Sequence, residues 1–163
     1  MDAIVIDSDG KMEVSPDVKP PVINSLPEFL DAVHASGLVG LGGAGFPAHV
    51  KLKVPDDKKV DTLIINVAEC EPYITSDNRC AIEDTDDIFT GVRAVKHWLG
   101  LHRVILGVEG NKPDVIAGFN SVLGESKEES DKEIKVLELP LWYLSRAIRA
   151  APKAPIKGAI SAL

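Results

Sequence analysis

At 163 residues the chain is the size of about one domain and can bury about 70% of its unfolded surface. Its 45% hydrophobic and 26% charged residues exclude wholesale disorder, and a net charge of −7 sets its field against phosphate backbones and anionic lipid, so nucleic acid is not an expected partner. Cys70 and Cys80 lack CxxC spacing and a neighbouring His cluster, so the chain by itself offers no ligand set for zinc or an iron–sulfur cluster. No apolar run approaches the ~20 residues of a membrane span, and Met1-Asp2-Ala3 lacks the features of an export signal. The expected compartment is the cytoplasm, with membrane attachment only through a partner.

Ala3 to Ile6, the turn Asp7-Ser8-Asp9-Gly10 and Lys11 to Val14 predict a small β arm, and Pro16, Pro20 and Pro21 predict an extended linker after it. Ser25-Leu26-Pro27-Glu28 is a capping box that opens a helix over about 26–36, closed before Gly37. Thr62 to Val67 is apolar on both faces and reads as a buried parallel strand. Ile88, Phe89, Val92, Val95 and Leu99 recur at helical spacing over Thr85 to Leu99. Arg103 to Val108 predicts a second strand, Asn111-Lys112-Pro113-Asp114 the cap of a helix to about Leu123, and Ile134 to Leu139 a third strand after a polar loop. The expectation is an α/β fold: a small three-stranded parallel sheet with half-Rossmann strand-helix alternation, preceded by the β arm and a glycine-rich loop. Residues 1–24 are the arm and linker, 25–141 the Rossmann-like domain, and 142–163 a divergent segment read as a helix with an irregular tail. The ending at Gly158 to Leu163 suggests part of something longer.

Two constellations carry chemistry. Gly37-Leu38-Val39-Gly40-Leu41-Gly42-Gly43-Ala44-Gly45-Phe46-Pro47 places five glycines in nine residues. Such a loop lets backbone amides approach a phosphate or a planar ring, or else makes a tight turn with close backbone packing. It is not the dinucleotide fingerprint, because it follows a helix rather than a strand. Asn66-Val67-Ala68-Glu69-Cys70-Glu71-Pro72-Tyr73 lies at the carboxyl end of the first parallel strand, where open α/β sheets bind ligands. Its carboxylates, amide and phenol suit ribose hydroxyls or ring N–H groups; the alternative is a solvated turn cornered by Pro72. Cys70, between two carboxylates, is a poor nucleophile. His34, His49, His97 and His102 show no ligand spacing, and Lys51 and Lys53 are either phosphate contacts or ordinary surface lysines.

Taken in order, GLVGLGGAGFPAHVKL, INVAECEPYITSDNR and VEGNKPDVI resemble the C subunits of Rnf electron-transport complexes and, more distantly, the flavin-carrying subunit of respiratory complex I. The resemblance covers roughly residues 25–140. It implies a module that binds FMN and NAD(H) and passes electrons to iron–sulfur clusters held by CxxCxxC runs far downstream. It further implies that Gly40, Gly42, Gly43, Ala44 and Gly45 line FMN, with Phe46 on the nicotinamide side and Lys51 near phosphate. Asn66 would hydrogen-bond the flavin, and Glu69 and Glu71 would border the dinucleotide pocket. Implied partners are NADH and the other subunits of a membrane complex, with the protein peripheral on the inner face of the cell membrane.

Leu41 stands where the complex I pattern has Arg, and Ala68 where it has an acidic residue; both fit the Rnf branch. After Tyr143 that branch continues with a Pro-x-Gly turn, whereas this chain has Leu144-Ser145-Arg146. The departure motivates an alternative, a scaffold or interaction module that keeps the fold without cofactor. A third reading is a soluble relative that serves an amino-acid reductase. No residue is assigned as acid, base or nucleophile.

Overall fold

The computed structural model describes residues 5, 7–40, 44–69, 74–140 and the backbone of 159–162. Its central strand is β1 (Thr62–Val67), which pairs in parallel with β2 (Arg103–Glu109) on one edge and with β4 (Ala159–Ala162) on the other. Strand β3 (Ile134–Leu139) pairs in parallel with β2, so the order is β3-β2-β1-β4. Registers such as Leu63↔Val104 and Leu106↔Val136 align the carboxyl ends of β1, β2 and β3 along one edge.

Parallel neighbours require crossovers, and helices supply them. Between β1 and β2 run α3 (Ser76–Glu83) and α4 (Thr85–Trp98); between β2 and β3 run α5 (Pro113–Glu125) and a 3₁₀ turn at Glu129–Glu133. Phe89 of α4 and Phe119 of α5 are fully buried and meet edge-to-face at 5.6 Å, over Leu63, Val104, Leu106, Val108 and Val115. Ahead of the sheet, α1 (Leu26–Ala35) and α2 (Ala48–Leu52) pack on each other. Phe29 of α1 stacks on Trp98 at the end of α4. The Ser25 hydroxyl accepts the Glu28 amide, as the capping box requires. The Glu28 carboxylate, however, turns back one residue further to accept from the Asn24 amide at 2.7 Å.

Several expectations need correction. Lys11 to Val14 is not a strand, and residues 7–24 contain none. The turn chemistry is there, with Ser8 Oγ accepting the Gly10 amide and Asp9 Oδ1 the Lys11 amide. But Met12 adopts φ 53°, and Met12 and Val14 are 88% and 77% exposed, so no apolar face exists to hold a hairpin, which is marginal on its own. Most of the predicted first strand of that arm lies outside the described residues. The three expected parallel strands are present, and a fourth joins them: residues 159–162, read as irregular tail, pair with β1. The helix expected after Trp142 lies outside the described residues. Helices α2 and α3 were not expected; each buries a single side chain, Leu52 and Ala81, too little to leave a periodic stripe. At α5 the N-cap is Lys112, which makes no side-chain cap.

The polar segment before β3 is pinned rather than loose. Arg93 donates to both oxygens of Asp131, Nε at 3.0 Å and Nη2 at 2.6 Å, while its guanidinium lies over the Phe89 ring. Lys96 Nζ donates to the Ser130 carbonyl. The Asp131 side chain is 3% exposed, and hydrogen bonds from Arg93 hold its carboxyl below the ordinary carboxylate range against the opposing effect of burial. A carboxyl depressed on folding stabilises the fold above its unfolded pKa and loses that contribution as pH falls towards the folded value. Asp131→Asn should therefore cost about 3 kcal/mol at pH 7, near the lower end for a buried pair because Arg93 keeps part of its guanidinium in water. The gap between variant and parent should shrink as pH drops below about 4. Urea unfolding midpoints at neutral and acidic pH check both the loss and its sign.

Candidate functional site

The carboxyl edge is built first by how β1 ends. Asn66 Oδ1 accepts the Ala68 amide at 3.3 Å, a local turn that takes the chain off the sheet and buries Ala68. Glu69 follows, its side chain 6% exposed, and both of its oxygens are engaged. Oε2 accepts from Lys112 Nζ at 2.7 Å, and Oε1 from the Asp77 amide in the first turn of α3 at 3.2 Å. The N-cap Thr75 makes no side-chain cap of its own, so Glu69 supplies that cap from eight residues away in sequence.

Lys112 arrives from the neighbouring strand. After β2 the chain turns through Glu109 to Lys112, closed by Lys112 N donating to the Glu109 carbonyl at 3.0 Å, while Gly110 N donates to the Leu139 carbonyl at the end of β3. Glu109 is buried, and a Cβ on Gly110 would sit 2.7 Å from the flexible end of Glu138. The ends of all three strands thus carry a glutamate at one edge, and Lys112 is hydrogen-bonded to the first of them, Glu69.

The glycine-rich segment forms a second group, a two-armed loop between α1 and α2. Ala48 N donates to the Leu38 carbonyl at 3.0 Å, Gly40 N donates to the Phe46 carbonyl at 2.8 Å, and Val39 bridges Pro47. At its base the rings of His34 and His49 lie 4.1 Å apart. Those histidines had no spacing to connect them; the return of the loop brings them together. Gly37 and Gly45 adopt φ +71° and +59°, and a Cβ at either would meet nothing within 4 Å. Close backbone packing is therefore not why they are glycines; the left-handed backbone is. Ala44 and Gly45 are exposed, Phe46 is 48% exposed, and Lys51 lies half-buried in α2. Gly42, Gly43, Cys70 and Glu71 lie outside the described residues.

A cleft of about 960 Å³ opens elsewhere, lined by Leu30, His34, His49, Lys58, Asp61 and His102 at the amino ends of β1 and β2. Its rim mixes lysines with aspartates. Asp61 there is held below the ordinary carboxylate range, chiefly by the Thr62 hydroxyl and with help from Arg103. The carboxyl edge is the stronger candidate, because strand ends and helix starts converge there with chemically convergent groups. Among the described residues no group of three or more His, Cys, Asp or Glu is placed to hold a metal. The Cys80 thiol is pushed up by burial and by Asp84, which makes it a poor nucleophile.

With this geometry in hand, the comparisons are specific. A sequence model of the Nuo51 FMN-binding domain matches residues 33–150. The chain belongs to that family. It is similar to the C subunit of the proton-translocating ferredoxin:NAD(+) oxidoreductase complex of Clostridium ljungdahlii, 40% identical over 144 residues covering 86% of this chain and 30% of that protein. It is also similar to the C subunit of the Na(+)-translocating ferredoxin:NAD(+) oxidoreductase complex of Acetobacterium woodii, 37% identical over 147 residues covering 86% of this chain and 31% of that protein. The chain therefore spans less than a third of the length of these relatives. A solved NAD+-reducing [NiFe]-hydrogenase superposes with a TM-score of 0.56 over 71% of this chain and 20% of its own at 20% identity, a likeness of fold.

Of the residues singled out in the sequence, Asn66 and Glu69 stand together at the strand edge, and Gly40, Ala44, Gly45 and Phe46 form the loop arms. Lys112 and the Asp77 amide were missed. The signal for Lys112 was present: it follows a strand end just as Glu69 does, and the same edge rule applies to β2. Substituting Gly45→Ala should destabilise the chain by about 1 kcal/mol through backbone strain alone. A matched loss in urea midpoint for Gly37→Ala, set against no loss or a small gain for the exposed helical Gly124→Ala, would check it.

Proposed function

We propose that the chain is the FMN- and NAD(H)-binding module of an electron-transport oxidoreductase, of the kind found in the C subunits of Rnf complexes. The observation that carries this is the match to the FMN-binding family over 33–150, which takes in both the glycine loop and the carboxyl edge. The residues fit the group. The loop arms are exposed at Ala44, Gly45 and Phe46, and a Cβ on Gly45 would meet nothing within 4 Å, which suits close approach by a planar ring. Asn66 offers an amide oxygen to ring N–H donors, and Lys112 an ammonium to a phosphate.

In this reading Gly40, Gly42, Gly43, Ala44 and Gly45 line the flavin and Phe46 flanks the nicotinamide. Lys51 approaches phosphate, and Glu69 and Glu71 border the dinucleotide. FMN held by these residues would supply the redox chemistry, exchange of a hydride equivalent on one side and of single electrons on the other. The chain's own residues bind and orient; hydride transfer demands alignment more than proton chemistry, which suits a site without an assigned acid or base. Downstream clusters, the other subunits of a membrane complex and a peripheral cytoplasmic position belong to the same proposal. Among the described residues no helix is long and apolar enough to cross a membrane.

Titration of the purified chain with FMN should quench flavin fluorescence with a micromolar-range midpoint, and anaerobic NADH should then bleach the bound flavin. Gly43→Val should weaken FMN binding by about tenfold or more if, as the family resemblance implies, that glycine lines the flavin. Unchanged affinity in that variant removes the loop from the site, and no quenching by the parent chain defeats the reading.

A further inference from the structure

We propose that Lys112 sets the charge of the carboxyl edge: by neutralising Glu69 it lets an acidic edge accept a phosphate-bearing flavin. The inference rests on the flavin-binding reading above and names the residue that makes it electrostatically workable.

The edge is acidic from every strand. Glu69 lies beyond β1, Glu109 ends β2, Glu138 lies in β3 with its carboxylate against Gly110, and Asp114 opens α5. The chain as a whole carries −7. A phosphate monoester brought to such an edge is repelled, and the repulsion is strong where water is scarce. Lys112 enters this group with its side chain 17% exposed, against 6% for Glu69, so the pair is poorly screened.

Each Glu69 oxygen is already engaged, one by Lys112 and the other by the Asp77 amide, which holds the carboxylate in place and gives it a positioning role. An ammonium has three donors, of which Glu69 takes one. Held by Glu69 and carried on the turn between β2 and α5, Lys112 has donors left for an anionic group at this edge.

A purely structural brace would behave differently, and four variants separate the two roles. FMN and riboflavin are titrated by fluorescence quenching into the parent chain and into Lys112→Met, Lys112→Arg, Glu69→Gln and the double variant Lys112→Met with Glu69→Gln. Lys112→Met should weaken FMN by about tenfold or more and riboflavin, which has no phosphate, by less than about threefold. Glu69→Gln keeps the shape and removes the negative charge; its one amide oxygen can still accept from Lys112, at the expense of the Asp77 amide and of some fold stability, and FMN should bind more tightly. Lys112→Arg should stay within about threefold of the parent, and the double variant should recover most of the loss in Lys112→Met.

Equal losses for FMN and riboflavin, or weaker FMN binding by Glu69→Gln, would assign the pair to holding the fold and overturn the proposal. Unchanged FMN affinity in Lys112→Met, with the parent binding normally, overturns it alone. No saturable binding of either flavin by the parent overturns it together with the flavin reading. Should circular dichroism show Lys112→Met unfolded, the sign of the Glu69→Gln effect still decides.

Discussion

Parallel pairing is the constraint from which the rest of this molecule follows. A parallel strand cannot return through a tight turn, so β1, β2 and β3 must be joined in succession by covered crossovers. All their carboxyl ends therefore emerge on one side. The alternating apolar burial of Val104, Leu106 and Val108, and the meeting of Phe89 with Phe119, fix those crossovers in place. The chemistry at the edge is a by-product of that geometry. Three strand ends deliver their polar residues to one line, and those residues must satisfy one another.

How they do so differs from what a strand-by-strand reading suggests. Glu69 looks like a ligand-facing carboxylate when only its own strand is considered. In three dimensions it ties the end of β1 to the start of α3 through the Asp77 amide and to the start of α5 through Lys112. One nearly buried side chain thus fastens two helix origins to the sheet. A charge in such a place is tolerable only while paired, so the identities of Glu69 and Lys112 are coupled although 43 positions separate them.

The limits of sequence reading here are physical. Strand β1 and helix α4 were legible because each buries enough apolar surface to write its pattern into the chain, as Ile88, Phe89, Val92 and Val95 do for α4, whereas α1, which buries only Phe29, and α5 were read from the residues at their N-termini. Helices α2 and α3 bury one residue each and left no such record. The arm at Lys11 to Val14 had strand-like residues but nothing to pack on, and Met12 turned into the left-handed region instead. In the site, Asn66 and Glu69 were found because the carboxyl-edge rule is local to a strand. The Lys112 pairing was not, because registers between strands are tertiary facts. The glycine loop was conspicuous by composition, yet only the backbone angles show that Gly37 and Gly45 serve conformation rather than packing.

The placement of β4 has a kinetic consequence. Strands β1, β2 and β3 are joined by successive crossovers of ordinary length, whereas Thr62 meets Ala159 across roughly a hundred residues of chain. Loop closure at that separation adds little to the equilibrium cost but makes the encounter slow. The three sequential strands with α4 and α5 are thus the natural folding nucleus, and β4 joins an edge already formed. The same ordering, run backwards, makes release of β4 the cheapest partial opening of the sheet, one that bares a flank of β1 while leaving the Glu69 and Lys112 tie intact.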